Sequence, residues 1–189
     1  MVIATVEEEG RLRGDLMLAA EHASARAINQ VLLRARGILS LAVGQEIYDR
    51  LGLLHERRGR PSPNPGAPRA VTTIEATSGV TTGISAHDRA RTIAVAVNPK
   101  SGPADVRQPG HVPVLLAADG GVSDRARPVE AAVELSRLAG MRPAGVLSEL
   151  LAADGELAGA DELERISGEI SAPLLAVASL AARRSKARR

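Results

Sequence analysis

Short apolar runs rich in valine and isoleucine alternate along the chain with stretches whose apolar positions recur every three to four residues. The runs are typical of strands and the stretches are typical of helices. The pattern therefore predicts an α+β fold, with helices packed on a mixed sheet, rather than a bundle or a β-sandwich. Strands are predicted at 1–6, 38–43, 71–76, 111–117, 144–150 and 173–178, and helices at 25–36, 45–51, 85–96, 129–138 and 161–170.

Glycine and proline set the boundaries of these elements. In the first predicted helix Ile28, Val31 and Leu32 fall on one face, and Gly37 supplies a stop. Prolines at four positions between 61 and 68 predict a loop inserted into a single domain, because too little chain precedes them to fold alone. We expect that domain to cover 1–182 and to be followed by a disordered basic tail, 183–189.

The composition narrows the classes of function. The 189 residues include no tryptophan or phenylalanine and one tyrosine, so small aliphatic side chains must build the core, and a base-stacking surface for nucleic acid is not expected. Cysteine is absent, which excludes disulfides, thiolate zinc sites and cysteine nucleophiles. The sequence has neither a signal-peptide pattern nor an apolar stretch of roughly 20 residues. We therefore expect a cytoplasmic protein that binds a small molecule and has no membrane partner.

A glycine- and threonine-rich loop, 79–83, joins a predicted strand to the start of a predicted helix. The hydroxyls of Thr81 and Thr82, with the unpaired amides of a helix N-terminus, could bind an anion such as phosphate. The Gly-Lys-Ser/Thr ending of a Walker loop is absent. The alternative interpretation is an ordinary capped turn in which Ser85 and Asp88 cap the helix.

Acidic residues and one histidine offer a second candidate site. Residues 7–9 are all glutamate, Asp15 follows a glycine, and a Gln-Pro-Gly turn delivers His111 to the start of a strand. A solvated charge run and a structural histidine are the simple interpretation. The segment 7–15 is predicted to be a loop, and its carboxylates could instead bind Mg²⁺ together with His111. Glu130, on a later helix, could act as an acid or base only if the fold brings it to these groups.

Five blocks of the sequence occur in the order and nearly the spacing of one known family. They are Val-Thr-Thr-Ile-Glu-Ala (71–76), Gly-Val-Thr-Thr-Gly-Ile-Ser-Ala-His-Asp-Arg (79–89), Pro-Gly-His-Val (109–112), Gly-Gly-Val (120–122) and Leu-Ala-Gly-Met-Arg-Pro-Ala-Gly-Val-Leu-Ser-Glu-Leu (138–150). Across almost its whole length the chain resembles 3,4-dihydroxy-2-butanone 4-phosphate synthase, an enzyme of riboflavin biosynthesis.

The resemblance implies an α+β fold and a homodimer whose active sites lie at the subunit interface. It also implies Mg²⁺-dependent conversion of ribulose 5-phosphate, through an enediol, to formate and the butanone phosphate. Carried over by position, the catalytic residues are Asp15, His111 and Glu130, with His111 also a metal ligand. The residues assigned to substrate binding are Thr81, Thr82, Asp88, Arg89, Arg11, Arg13, Gln108 and Arg125.

The chain departs from the family pattern where charge matters. Arg11 stands where the family has a metal-binding glutamate, and a guanidinium cannot ligate Mg²⁺, which leaves Glu9 as the remaining carboxylate ligand beside His111. Gln108 replaces an arginine that contacts phosphate, which removes a charge-assisted bond. The family's His-Thr-Glu-Ala motif reads Pro-Val-Glu-Ala at 128–131. The sequence therefore makes the Mg²⁺ cofactor doubtful.

Three hypotheses follow. The preferred one is a diverged lyase or isomerase that acts on a small hydroxy-carbonyl or sugar-derived compound, with Arg11 or Arg13 binding an anionic group of the substrate directly. The second is an authentic Mg²⁺-dependent synthase of riboflavin biosynthesis. The third is a non-catalytic homologue that binds a metabolite or a partner, since a fold does not guarantee a function.

Overall fold

The computed structural model describes residues 1–54 and 69–187, where seven strands form one mixed sheet. The strands are β1 (Val2–Glu8), β2 (Arg11–Ala19), β3 (Ser40–Val43), β4 (Arg69–Ala76), β5 (Val106–Leu116), β6 (Ala144–Glu149) and β7 (Leu174–Ala176). Their order in the sheet is β4-β5-β3-β6-β2-β1-β7. The β3–β5 and β1–β7 pairs are parallel, and the other neighbours are antiparallel.

Helices cover both faces of this sheet. They are α1 (Ala25–Ala35), α2 (Gln45–Arg50), α3 (Ala86–Val97), α4 (Pro128–Leu138), α5 (Ala160–Ile170) and α6 (Val177–Ala187). Buried side chains of α1, α2, α3 and α5 pack on one face, and those of α4 and α6 pack on the other. The predicted α+β architecture is confirmed. None of the helices in the described ranges is long and apolar enough to cross a bilayer.

Alternation along the strands sends aliphatic side chains into two separate cores. On β1, Ile3 joins the core under α1 and α5, whereas its neighbour Ala4 joins the core under α4, because successive strand residues point to opposite faces. On β2, Leu16 and Met17 divide in the same way. The core is aliphatic, as the composition predicts.

The segment 7–15 is not the loop that the sequence predicted. β1 continues to Glu8 and β2 begins at Arg11, with Glu8 and Arg11 opposite each other in the register. Glu9 and Gly10 form the turn at φ 51° and 72°, which suits a two-residue hairpin. The charged residues favoured a loop in the sequence-based prediction. However, Arg11, Arg13 and Asp15 alternate with Leu12, Gly14 and Leu16, and this alternation is a strand pattern with polar side chains on one face.

Two other boundaries differ from the predictions. β5 begins at Val106, five residues before the predicted start, and contains a cis Gln108–Pro109 bond in an irregular stretch of the β4–β5 pair. The expectation of a disordered tail from 183 was wrong for 183–187, because α6 runs through Arg184, whose guanidinium pairs with the buried Glu134 of α4. The predicted proline-rich loop at 61–68 lies outside the described residues.

Candidate functional site

Ion pairs centred on Glu8 join the β1–β2 hairpin to the start of α4. One carboxylate oxygen of Glu8 pairs with Arg127, the N-cap residue of α4, and the other lies 3.5 Å from Arg13 Nε. Arg11 stands opposite Glu8 in the hairpin register. Three arginines and one glutamate therefore lie at this end of the sheet, and the net charge of these four side chains is positive.

The polar positions of β2 share one face of the sheet. Arg11, Arg13, Asp15 and Met17 are spaced by two residues, and Met17 packs in the core beneath α4 and α6. The cationic pair and the aspartate therefore lie on the α4 side of the sheet. Arg13 Nε is buried and has no hydrogen-bond partner within the part of the chain that the structure describes.

Asp15 is the residue of this face whose protonation the fold changes most. It is 7% exposed, and the exposed Glu149 stands directly opposite it on β6. Burial, and then the charge of Glu149, raise the pKa of Asp15 to about 7. Among residues 1–54 and 72–184, no side chain or backbone amide hydrogen-bonds to its carboxyl. A carboxyl that titrates near neutral pH can give or take a proton during a reaction.

Glu130 is fully buried. Its Oε1 accepts hydrogen bonds from the Ala118 amide (2.9 Å) and from Arg125 Nε and Nη2 (2.9 and 2.5 Å). Arg125 also donates to the carbonyl of Leu116, so the pair fastens the connection between β5 and α4. Glu130 Oε2 has no partner among the described residues. With no exposed surface, Glu130 does not meet a ligand in this conformation.

The glycine- and threonine-rich loop is a capped turn. Asp88 Oδ2 accepts hydrogen bonds from the Thr81 hydroxyl (2.7 Å) and the Gly83 amide (3.0 Å), while Ser85 Oγ accepts one from the Asp88 amide (3.0 Å). These bonds, the Thr81 bond foremost, lower the pKa of Asp88 to about 2. The buried carboxylate therefore occupies the donors that would otherwise bind a phosphate, and Thr82 is left exposed.

Arg89, in the first turns of α3, is half-buried. Its Nε has no hydrogen-bond partner among the described residues. Gln108 serves the fold: its Oε1 accepts from the Leu54 amide (2.8 Å) and its Nε2 donates to the Gly52 carbonyl (3.3 Å). These two bonds hold the segment after α2 against β5.

His111 lies beside a glutamate that the sequence did not single out. Its Nδ1 is 3.3 Å from Oε1 of Glu75, a residue of β4 that is 3% exposed. Arg107 donates to the other oxygen of Glu75 from Nε (3.1 Å) and Nη2 (2.7 Å). The imidazole itself is about half exposed. The signal for Glu75 in the sequence was its place in the 71–76 block, at the end of an apolar strand.

The structure does not bring all the predicted site residues together. β3 and β6 lie between β5, which carries His111, and β2, which carries Asp15. At about 4.8 Å per strand, these two residues are on the order of 14 Å apart or more. Glu9 lies on the turn between β1 and β2, on the same side of β3 and β6 as Asp15. The predicted Glu9–His111 metal pair is therefore not formed within one chain.

The donor set at the hairpin does not suit Mg²⁺. No group of three or more histidine, aspartate or glutamate side chains in the described ranges could hold a metal ion. Glu8, the carboxylate opposite Arg11 in the hairpin register, is already paired with Arg127 and Arg13, and guanidinium groups repel a divalent cation.

Comparison with known proteins places these features in context. The family model of 3,4-dihydroxy-2-butanone 4-phosphate synthase matches residues 1–183. A protein of that name from Pseudomonas syringae pv. tomato is 44% identical over 164 residues, which cover 87% of this chain and 44% of the relative. The riboflavin biosynthesis protein RibBA of Synechocystis is 41% identical over 179 residues, which cover 94% of this chain and 32% of the relative. The chain thus spans less than half the length of these two relatives.

Two solved structures of synthases also match this chain over most of its length. A 3,4-dihydroxy-2-butanone 4-phosphate synthase in complex with two magnesium ions superposes with a TM-score of 0.89 at 28% identity, covering 98% of this chain and 90% of that one. A two-domain synthase from A. baumannii, RibBX, superposes with a TM-score of 0.88 at 36% identity, covering 95% of this chain and 52% of that one.

Proposed function

Because the chain belongs to the 3,4-dihydroxy-2-butanone 4-phosphate synthase family, we propose that it is a diverged lyase or isomerase that acts on a small hydroxy-carbonyl compound through an enediol. The observation that carries the proposal is Asp15, a buried carboxyl with a pKa raised to about 7, on the same strand face as Arg13 and Arg11. A carboxyl that titrates near neutral pH and two arginines therefore share one face of β2.

Asp15 would remove a proton from the carbon next to the substrate carbonyl. The electron pair of the broken C–H bond forms the C=C bond of the enediol, the carbonyl oxygen takes up the negative charge, and the proton moves to a carboxylate oxygen of Asp15. Guanidinium N–H groups of Arg13 and Arg11 would stabilise that developing charge, and Arg13 is held beside Glu8 before the reaction begins. In an isomerisation, the proton on Asp15 then moves to the former carbonyl carbon, and the hydroxyl proton of the neighbouring carbon passes to the former carbonyl oxygen. In a lyase reaction, the carbonyl re-forms and a leaving group on the adjacent carbon departs with the electrons of its broken bond.

The same arginines favour a substrate with an anionic group. Arg11 is exposed and forms no ion pair among the described residues, whereas Arg13 Nε is buried and lies 3.5 Å from a carboxylate oxygen of Glu8. A carboxylate or phosphate oxygen that pairs with Arg11 would gain a charge-assisted hydrogen bond. The substrate class is therefore an anionic hydroxy-carbonyl compound.

An authentic Mg²⁺-dependent synthase is the second candidate, and the family membership favours it. The solved relative with two magnesium ions shows that members of the family can hold the metal. The Glu8–Arg13–Arg127 ion pairs favour the diverged reading for this chain.

A homodimer and a cytoplasmic location, both expected from the sequence, belong to the same proposal. Two exposed apolar side chains on segments that adjoin β5 support the dimer: Ile84 follows Gly83, where a Cβ would meet His111, and the Leu54 amide bonds to Gln108. A contiguous patch of such side chains is typical of an interaction surface.

A proton-exchange assay tests the proposal. The purified chain is incubated in D₂O with EDTA and, in turn, with ribulose 5-phosphate, ribulose and a hydroxy-keto acid, and loss of the C–H signal next to the carbonyl is followed by ¹H NMR. We expect metal-independent exchange with an anionic member of the panel, and at least a 100-fold slower rate in Asp15→Asn. Asp119→Asn, at an exposed aspartate, is the matched control and should exchange at the wild-type rate.

Two results would separate the alternatives. Formate release from ribulose 5-phosphate that requires Mg²⁺ and proceeds at an enzyme-like rate identifies the authentic synthase and refutes the diverged reading. If no compound undergoes exchange but one of them stabilises the protein against unfolding, the chain is a non-catalytic binding protein.

A further inference from the structure

A second polar centre lies at the β4–β5 edge of the sheet, separated from the strand of Asp15 by β3 and β6. Glu75 is nearly fully buried, and its two carboxylate oxygens have different partners. Oε2 accepts hydrogen bonds from Nε and Nη2 of Arg107, whereas Oε1 lies 3.3 Å from His111 Nδ1. The bidentate arginine therefore fixes the carboxylate so that one oxygen faces the imidazole.

Gly83 keeps this contact covered. A Cβ atom at Gly83 would come within 1.4 Å of Glu75 Oε1 and 2.5 Å of His111 Nδ1, so only a glycine lets the loop lie this close. Its φ of 89° also lies in the left-handed region that favours glycine. With the loop against it, the Glu75–His111 contact is shielded on that side, which strengthens it.

We infer that Glu75 is a positioning residue that holds neutral His111 in the tautomer with its proton on Nδ1, leaving the Nε2 lone pair to accept a proton from a hydroxyl group of a bound small molecule. A carboxylate can only accept hydrogen bonds, so the hydrogen shared with it must sit on Nδ1. When the hydroxyl O–H bond breaks, its proton moves to Nε2, the oxygen keeps the electron pair, and Glu75 stabilises the imidazolium that results. The inference does not depend on the role proposed for Asp15.

The Glu75–Arg107 pair also connects β4 to β5, so a loss of stability on mutation of Glu75 says nothing about His111. The tautomer of His111, in contrast, reports directly on its contact with Glu75. In Glu75→Gln, Arg107 still needs an oxygen acceptor, so the amide oxygen should take the place of Oε2 and the amide NH₂ group should face His111. Nδ1 then becomes an acceptor, and the proton must move to Nε2.

The experiment is a long-range ¹H–¹⁵N NMR spectrum of the ¹⁵N-labelled chain at pH 8.5, about two units above the pKa of a free imidazole. The sequence has four histidines, and the His111 signals are identified by their loss in His111→Gln. We expect mainly the Nδ1–H form in the wild type and mainly the Nε2–H form in Glu75→Gln. Glu134→Gln is the matched control: Glu134 is also buried and pairs with arginines, but belongs to α4, and its replacement should leave the His111 signals unchanged.

A wild-type His111 that carries its proton on Nε2 overturns the inference, and so does an unchanged tautomer in a folded Glu75→Gln variant. If that variant does not fold, the wild-type spectrum alone decides.

Discussion

Replacing Asp15 with asparagine removes a carboxyl that burial and Glu149 keep from ionising. In the unfolded chain the group has a pKa of 3.8, and in the folded chain the pKa is about 7. Between these two values the folded state holds a proton that the unfolded state has lost, so the wild type loses stability as pH rises. At 1.36 kcal/mol per pKa unit, the full penalty above pH 7 is about 4 kcal/mol, and roughly 2.5 kcal/mol of it develops between pH 5 and pH 8.

Urea unfolding followed by circular dichroism at pH 5, 6, 7 and 8 measures this difference. We expect the gap in unfolding free energy between Asp15→Asn and the wild type to shift by roughly 2.5 kcal/mol in favour of the variant from pH 5 to pH 8. An unsatisfied asparagine amide costs about 1–3 kcal/mol, but that cost is the same at every pH and cancels in the comparison. Asp119→Asn, at an exposed aspartate, serves as the control. Parallel curves for Asp15→Asn and the wild type would refute the reasoning, because the folded carboxyl would then titrate as the unfolded one does.

Three further outcomes are expected from urea unfolding. Gly83→Ala should cost about 3 kcal/mol and clearly more than Gly155→Ala, because both glycines have a φ of 89° but nothing lies within 4 Å of a Cβ at Gly155; equal costs would mean that the contact with Glu75 and His111 does not matter. Glu8→Gln should cost about 1 kcal/mol at low salt and less in 1 M NaCl, since the pairs that it removes are partly exposed; a cost independent of salt would contradict the ion-pair reading. Leu163→Ala should cost about 2–5 kcal/mol, and Gly14→Ala should be better tolerated in that background than in the wild type, because a Cβ at Gly14 would lie 2.6 Å from Leu163 Cδ2; additive costs would argue against this contact.

Helix α3 illustrates how much of the fold the sequence predicted. Its apolar spacing, the cap at Ser85 and the turn before it are all local, so neighbouring residues determine them. The same holds for α1, where Ser24 accepts the amide of Ala27 and the bounds match within one residue. The family blocks added the order of the elements.

The hairpin strand β2 shows where local reasoning failed. Arg11, Arg13 and Asp15 read as a solvated charged loop, but pairing with β1 and β6 makes them one edge of a half-buried face. A strand of alternating charged and small residues has little intrinsic preference, so its neighbours in the sheet decide it. The ion pair between the hairpin and α4 could not be predicted either, because Arg127 lies more than a hundred residues away from Glu8 in the sequence.

The sequence by itself determined five of the six described helices, the aliphatic core and the family, because periodicity, capping and family blocks are properties of neighbouring positions or of order along the chain. Only the tertiary structure decided which carboxyls can carry chemistry. In the folded chain Glu130 forms an ion pair with Arg125, and Asp88 accepts hydrogen bonds that cap a helix. Burial raises the pKa of Asp15, and His111 lies beside Glu75, which is 36 residues away in the sequence. Desolvation and charge pairing depend on what surrounds a side chain in space, and that surrounding is assembled from distant parts of the sequence.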